Sequence, residues 1–440
     1  MSNIILVTHW TGGDVYPFIR FGKMLKEEGH KVTILTHCVY ENVAKEAGLE
    51  FIAVDTKEEY EQQNRDLALL ADPIGKKEEY IRFHTLYHGK ERLLREVALI
   101  ETICTPDSII IARHRSSISG LIAAEKNHLP YASMILAPNY FSHMELHDQL
   151  FGKKFCEEIN RARTELGLTP ISNWKDWLYS PGKILCGWPK WYAQADETWP
   201  ECAVPIGFLA AEQPKEMVQF DPEVSAFLEE AKNKKKKTVI VTGGSSRMVS
   251  KEFYQKAIQA CSMADIYAIA VTPYDEYIPE TVPDTILCVR HVPLRSLMNK
   301  VELIIHHGGM GTINEAVDAA LPQLLMPHLT DGPDNADRLS ALGIAEKYSP
   351  KMWDPENIAE GITRLLDGRM KEKCLQYRDL NQEEYSAKVW KTVIPEIEPY
   401  VLPRQEKRYE AAVNQAGVNR QVSREMLMKI LRKKQENKEG

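Results

Sequence analysis

Residues 306–316 read His-His-Gly-Gly-Met-Gly-Thr-Ile-Asn-Glu-Ala and concentrate anion-binding chemistry in one short run. Gly308, Gly309 and Gly311 let a charged ligand approach the main chain closely. The apolar triplet 303–305 reads as a strand and 313–320 as a helix, so the run is a strand-to-helix turn. Free amides and the positive end of a helix favour phosphate at such a turn. Thr312 adds a hydroxyl donor and His307 a ring donor. Together they point to a diphosphate.

Other residue patterns point away from competing chemistries. His84/His88 and His143/His147 have the i, i+4 spacing of zinc ligands. Neither pair comes with the rest of a ligand set, so no metal is expected. The eight cysteines include no C-x-x-C, and the closest two are sixteen residues apart, which argues against a zinc ribbon or a dithiol redox centre. The first turn lacks G-x-G-x-x-G, which argues against a nicotinamide cofactor.

The elements that must hold these residues alternate strand and helix. The first half reads as strands at 3–8, 31–36, 51–54, 108–112 and 131–136, with helices at 16–28, 40–47 and 117–126. The second half restarts with strands at 238–242, 266–271, 303–305 and 323–326 and helices at 251–263 and 313–320. Such alternation predicts parallel sheets covered by helices. Ligands then bind beyond the carboxyl ends of the strands, so the cleft between the halves is the expected active site. Residues 56–105 and 137–182 are less regular and rich in aromatics and histidines, as expected of an acceptor pocket. Residues 404–440 hold ten Lys/Arg against five Asp/Glu. They read as a charged helical tail, solvated or in peripheral contact with a membrane or a subunit. Truncation after Pro403 is expected to leave the fold intact.

The chain has 440 residues, a net charge of −7, and 44% hydrophobic residues. That suits two large domains and excludes low-complexity disorder and nucleic-acid binding by bulk charge. No export signal and no run of 18 apolar residues is evident, so a cytoplasmic location without a membrane span is expected.

The 306–316 run, with Ala320-Leu321-Pro322-Gln323, Pro327, Asp331, Asn335-Ala336 and Arg338, resembles the donor-binding signature of nucleotide-sugar-dependent glycosyltransferases of the GT-B type. Gly13-Asp14-Val15-Tyr16-Pro17 and Gly29-His30-Lys31-Val32-Thr33 resemble the opening of the same family, as do Trp199-Pro200 and Val204-Pro205-Ile206-Gly207-Phe208. The Gly-Asp-Val-x-Pro form is similar to the branch acting on sterols, glycolipid precursors and antibiotic aglycones. The resemblance spans roughly residues 3–400. It implies an α/β fold of two facing Rossmann-like domains: 1–208 for the acceptor, a linker at 209–222, and 223–376 for the donor. Helices at 377–403 would return to the first domain.

Residue by residue, the resemblance puts His307, Gly308, Gly309, Gly311 and Thr312 at the diphosphate and Glu315 at the ribose. His291 and Val292 fall at the base, Gly244 and Ser245 near the phosphates and sugar, and Asp331 and Asn335 in the stretch that meets sugar hydroxyls. Three positions depart from the pattern. Gly332 stands where Gln often follows the Asp, Pro293-Leu294 replaces Pro-Gln, and Asp14 stands where many members have His. The implied activity is inverting, metal-independent transfer from a UDP- or dTDP-sugar to a hydroxyl of a hydrophobic small molecule such as a natural product, sterol or lipid precursor. The nucleotide sugar is a co-substrate, and no cofactor is expected. A nucleotide-sugar epimerase or hydrolase, or an inactive homologue activating a partner enzyme, are the other readings.

Inverting transfer needs a proton acceptor beside the acceptor hydroxyl. Asp14 sits at the carboxyl end of the first strand and is the first candidate. It is also placed to orient a histidine, His9 or His114, either of which would then be the base. Capping the helix from residue 16 is its structural alternative.

Overall fold

Strands buried on both faces read as continuous apolar runs, and this chain builds two sheets from them. The computed structural model describes residues 1–70, 72–209, 219–244, 249–327 and 330–402, with only the backbone of Ala68. The first sheet contains β1 (Asn3–Val7), β2 (Lys31–Thr36), β3 (Glu50–Ala53), β4 (Ser108–Arg113), β5 (Tyr131–Ile135), β6 (Ile184–Cys186) and β7 (Ala203–Pro205). They lie in the order β3-β2-β1-β4-β5-β6-β7, all parallel. The second contains β8 (Thr238–Thr242), β9 (Tyr267–Val271), β10 (Ile286–Val289), β11 (Leu303–His306), β12 (Gln323–Leu325) and β13 (Ala345–Lys347). Their order is β10-β9-β8-β11-β12-β13, again all parallel.

Strand order reverses between β1 and β4 in one sheet and between β8 and β11 in the other. Crevices open beyond the carboxyl ends of strands at such reversals. Residues 8–14 and 114–117 leave the first reversal. Gly244 and residues 307–312 leave the second.

The helix after β1 starts at Gly12 and runs to Glu27, four residues earlier than its apolar spacing predicts. Thr11 occupies the N-cap, and the Asp14 carboxylate reaches back to the Thr11 amide at 3.2 Å. This reciprocal cap carries the helix back through Gly12 and Gly13. Asp14 is therefore a third-position residue of the helix, and not its N-cap. Similarly, the helix after β11 runs Met310–Asp318, so the glycine run itself supplies its first turn.

Most of the irregular stretch 56–105 is helical, as Lys57–Asp66, Lys77–His88 and Lys90–Glu101. The first of these buries only Gln63, so no apolar period marked it. Asn139–His147 and Lys153–Glu165 fill much of 137–182.

Each sheet has its own apolar core. A further cluster joins Phe141, Trp188 and Tyr192 to Ile313, Val317 and Leu339, and so packs the two halves together. Trp390, Val393, Ile394 and Ile397 pack into the core of the first sheet. No described helix is long and apolar enough to cross a membrane. The linker residues 210–218 and the tail 404–440 lie outside the described residues.

Candidate functional site

At the second reversal the chain leaves β11 through buried His306. Its ring accepts the Gly308 amide at Nδ1 (3.2 Å) and contacts Gln323 Oε1 through Nε2 (3.0 Å). Burial holds this ring down to about 3, so it is a neutral brace for the turn. Gly308 turns with φ +93°, a conformation glycine takes without steric cost. Gly309 caps the helix that follows. The amides of Met310, Gly311 and Thr312 have no carbonyl four residues behind them within the helix, and these residues are exposed or half-buried.

The His307 ring is bracketed by two glycines. A Cβ on Gly244 would stand 2.8 Å from its Cε1, and one on Gly309 2.6 Å from its Nε2. Gly244 leaves β8 with φ +74°. Ser245, expected beside it, lies outside the described residues. His291 is exposed beyond β10, while Val292 is buried beneath it.

Asn335 is fully buried. Its amide donates to the Gly308 carbonyl (2.8 Å) and to Asp331 Oδ2 (2.8 Å), and its Oδ1 accepts the Tyr192 hydroxyl (2.8 Å). It therefore holds the loop together, and the expected contact with a sugar hydroxyl does not fit its burial. Burial raises the Asp331 carboxyl above the usual carboxylate range, and Asp14 across the cleft adds to this. Glu315 accepts Arg20 Nη2 at 2.9 Å, an ion pair from the first half of the chain.

At the first reversal, Asp14 Oδ1 pairs with Arg113 Nη2 at 2.6 Å. Its Oδ2 accepts the Thr11 amide and hydroxyl, each at 3.2 Å. Arg113 also donates to Tyr140 Oη (2.9 Å) and Ser116 Oγ (3.1 Å). Burial works against the guanidinium's charge, but Asp14, Tyr140 and Asp331 outweigh it and the group is held more firmly protonated than usual. Arg113 thus senses carboxylates from both sides of the cleft. The sequence signal for it was a cation directly after the strand 108–112, with Arg115 two residues on.

The two candidate histidines are placed differently. His9 Nδ1 lies 2.6 Å from Ser117 Oγ and Nε2 lies 3.1 Å from Glu96 Oε1, so both ring nitrogens face protein partners. His114 is buried, stacks on Tyr179, and is held down to about 3 by burial and then by Arg115 and Arg113. Neither ring contacts Asp14, which is paired to arginine and not to the imidazole expected as one option. Among the described residues no group of three or more His, Cys, Asp or Glu is arranged to hold a metal. His84 and His88 instead face each other with Nδ1 atoms 2.9 Å apart.

Residues 4–144 match the N-terminal domain of glycosyltransferase family 28, and 267–396 match the C-terminal domain of erythromycin biosynthesis protein CIII-like proteins. The chain belongs to the GT-B glycosyltransferases. Among relatives, a sterol 3-beta-glucosyltransferase of Komagataella phaffii is 23% identical over 77% of this chain and 30% of its own length. The chain thus spans about a third of the length of such relatives. The crystal structure of the glycotransferase of kitacinnamycin superposes with a TM-score of 0.69 at 16% identity, covering 90% of this chain and 99% of that one. That of glycosyltransferase VinC in complex with dTDP gives 0.60 at 19%, covering 88% and 95%.

For this GT-B glycosyltransferase, the Gly332 departure has a steric reason. A Cβ there would lie 2.6 Å from the His307 carbonyl oxygen, so the two loops touch backbone to backbone. Gly332→Gln is expected to displace the 306–312 turn and weaken nucleoside diphosphate binding about tenfold or more, since about 1.4 kcal/mol of distortion is a factor of ten. Calorimetric titration checks this.

Proposed function

We propose that the chain transfers a glycosyl group from a nucleoside diphosphate sugar, UDP- or dTDP-linked, to a hydroxyl of a hydrophobic small molecule, with inversion and without a metal ion. The observation that carries this reading is the pairing of two strand-order reversals across one cleft. One presents an open glycine-rich helix start beside His307; the other presents Asp14 held by Arg113.

In this reading the acceptor oxygen bonds to the anomeric carbon on the face opposite the diphosphate. The carbon–oxygen bond to the diphosphate breaks, and its electron pair leaves with the phosphate. The acceptor's proton passes to Asp14. His307, the amides of residues 310–312, the Thr312 hydroxyl and the helix end stabilise the departing charge. Gly244 leaves room at the phosphates. Asp331 meets sugar hydroxyls, Glu315 the ribose, and His291 with Val292 the base. Asn335 and Arg113 are positioning residues. The sterol glucosyltransferase likeness supports a polycyclic acceptor.

Glu315 must then turn from Arg20 to the ribose. Arg20→Met is expected to tighten nucleoside diphosphate binding by about two- to fivefold, because a part-exposed pair of this kind is worth at most about 1 kcal/mol. Calorimetry on the variant reads the change.

The test of the function itself is nucleotide release from UDP- and dTDP-sugars, with and without a panel of hydrophobic alcohols, with products weighed by mass spectrometry. Acceptor-dependent release with a glycoside product is expected. Release without any acceptor dependence would make the protein a hydrolase, and an isomerised donor would make it an epimerase.

A further inference from the structure

Arg115 stands apart from the other arginines of the cleft. It lies two residues past β4, at the first reversal of strand order. The Ser116 amide donates to the His114 carbonyl at 2.8 Å, closing a three-residue turn with Arg115 at its centre. Arg115 has φ +68°, a left-handed conformation that long side chains seldom take. Strain of this kind collects at ligand clamps.

The side chain that this turn projects rests on an aromatic ring. Its guanidinium carbon sits 4.9 Å from the centre of the Tyr140 ring. Arg113 approaches the same ring at 5.4 Å, but Arg113 has Asp14 as its counter-ion. Among the described residues no carboxylate pairs with Arg115. The carboxylates that act on the same rings as Arg115 have other partners. Glu96 accepts from Arg92 and Ser119, Glu145 pairs with Lys175, and Asp334 pairs with Arg338.

The surroundings supply rings in place of anions. The positive charge of Arg115 reaches His88, His114, His147, Tyr80 and Tyr179. Burial first, with Arg115 among the charges that add to it, holds the three histidines down to about 3, so they stay neutral. A half-buried guanidinium resting on an aromatic face keeps its N–H donors for a ligand of opposite charge. A guanidinium matches a carboxylate by two parallel hydrogen bonds.

We propose that the acceptor of this enzyme is a hydrophobic hydroxy acid whose carboxylate is bound by Arg115 beside the Tyr140 ring, at the first reversal of strand order. This rests on the glycosyl-transfer reading, which makes that side of the cleft the acceptor side.

The experiment uses the full chain and hydroxylated polycyclic or aromatic carboxylic acids, each paired with its methyl ester. Binding is measured by calorimetry, and nucleotide release is followed in the same mixtures. The acids are expected to bind roughly 10–100-fold more tightly than their esters, the range a charged hydrogen bond gives. Arg115→Gly suits the left-handed backbone and removes the charge, so it should fold and lose the preference for acids. Arg115→Lys should keep part of it. Esters binding as tightly as acids, no acid binding at all, or a preference that survives in Arg115→Gly would each overturn the inference. Acids that bind in preference to esters but are never glycosylated would instead overturn the transferase reading and leave the carboxylate site standing.

Discussion

Asp14→Asn is expected to slow glycosyl transfer by roughly 10²–10⁴-fold, the usual worth of a positioned base, and to lower the melting temperature as well. Asn keeps the shape of the side chain and still accepts the Thr11 amide, so the helix start survives. It cannot take the acceptor's proton. It also leaves the Arg113 guanidinium buried without its counter-ion. Breaking a buried pair from one side costs about 3–5 kcal/mol, and here less, because Asp14 retains some exposure. The substitution therefore mixes a catalytic loss with a structural one. A double variant, Asp14→Asn with Arg113→Gln, removes both charges and should recover most of the melting temperature without recovering turnover. Restored turnover in the double variant would mean that Asp14 is not the base. His9→Ala and His114→Ala should cost transfer far less, since His9 faces Ser117 and Glu96 and His114 is buried with a strongly depressed proton affinity. A loss in either one matching that of Asp14→Asn would pass the role to a histidine.

His307→Ala is expected to weaken nucleoside diphosphate binding roughly 10–100-fold, from the loss of a charge-assisted bond worth about 1.5–3 kcal/mol. Its ring lies between Gly244 and Gly309, which leave no room for it to move aside if either gains a Cβ. Gly309→Ala should therefore reproduce much of the loss without touching the imidazole. Calorimetry with the nucleotide product measures both. Chelating agents should change neither the wild-type affinity nor turnover. Affinity unchanged in His307→Ala would remove the residue from the diphosphate site, and a strict magnesium requirement would move leaving-group stabilisation to a metal.

The 306–316 turn was legible because it is local. One contiguous run contains the strand end, the turn and the helix start, and local spacing identifies each of them. Strand 238–242 and helix 251–263 were equally plain, for their apolar periods are strong. Strands such as Ile184–Cys186 and Ala345–Lys347 are three residues long, too short to show a period. In 56–105, the helix Lys57–Asp66 escaped because it buries only Gln63, whereas Lys90–Glu101 does place Leu93, Val97 and Ile100 at helical spacing.

Sequence by itself determined the two parallel sheets, the glycine-rich turn and the family, since these depend on periodicity and on contiguous residues. Tertiary structure decided what the side chains at that turn meet. Asn335, which its position in the motif assigned to the sugar, is spent on Gly308, Asp331 and Tyr192 because packing turns it inward. Glu315 meets Arg20, almost three hundred residues away, only because the two halves close on each other. Asp14 finds Arg113 and not a histidine because β4 is laid directly beside β1, bringing together residues about a hundred apart in the chain. Strand order, rather than local spacing, sets those encounters. It is fixed by how the apolar faces pack, and no short stretch of sequence records it.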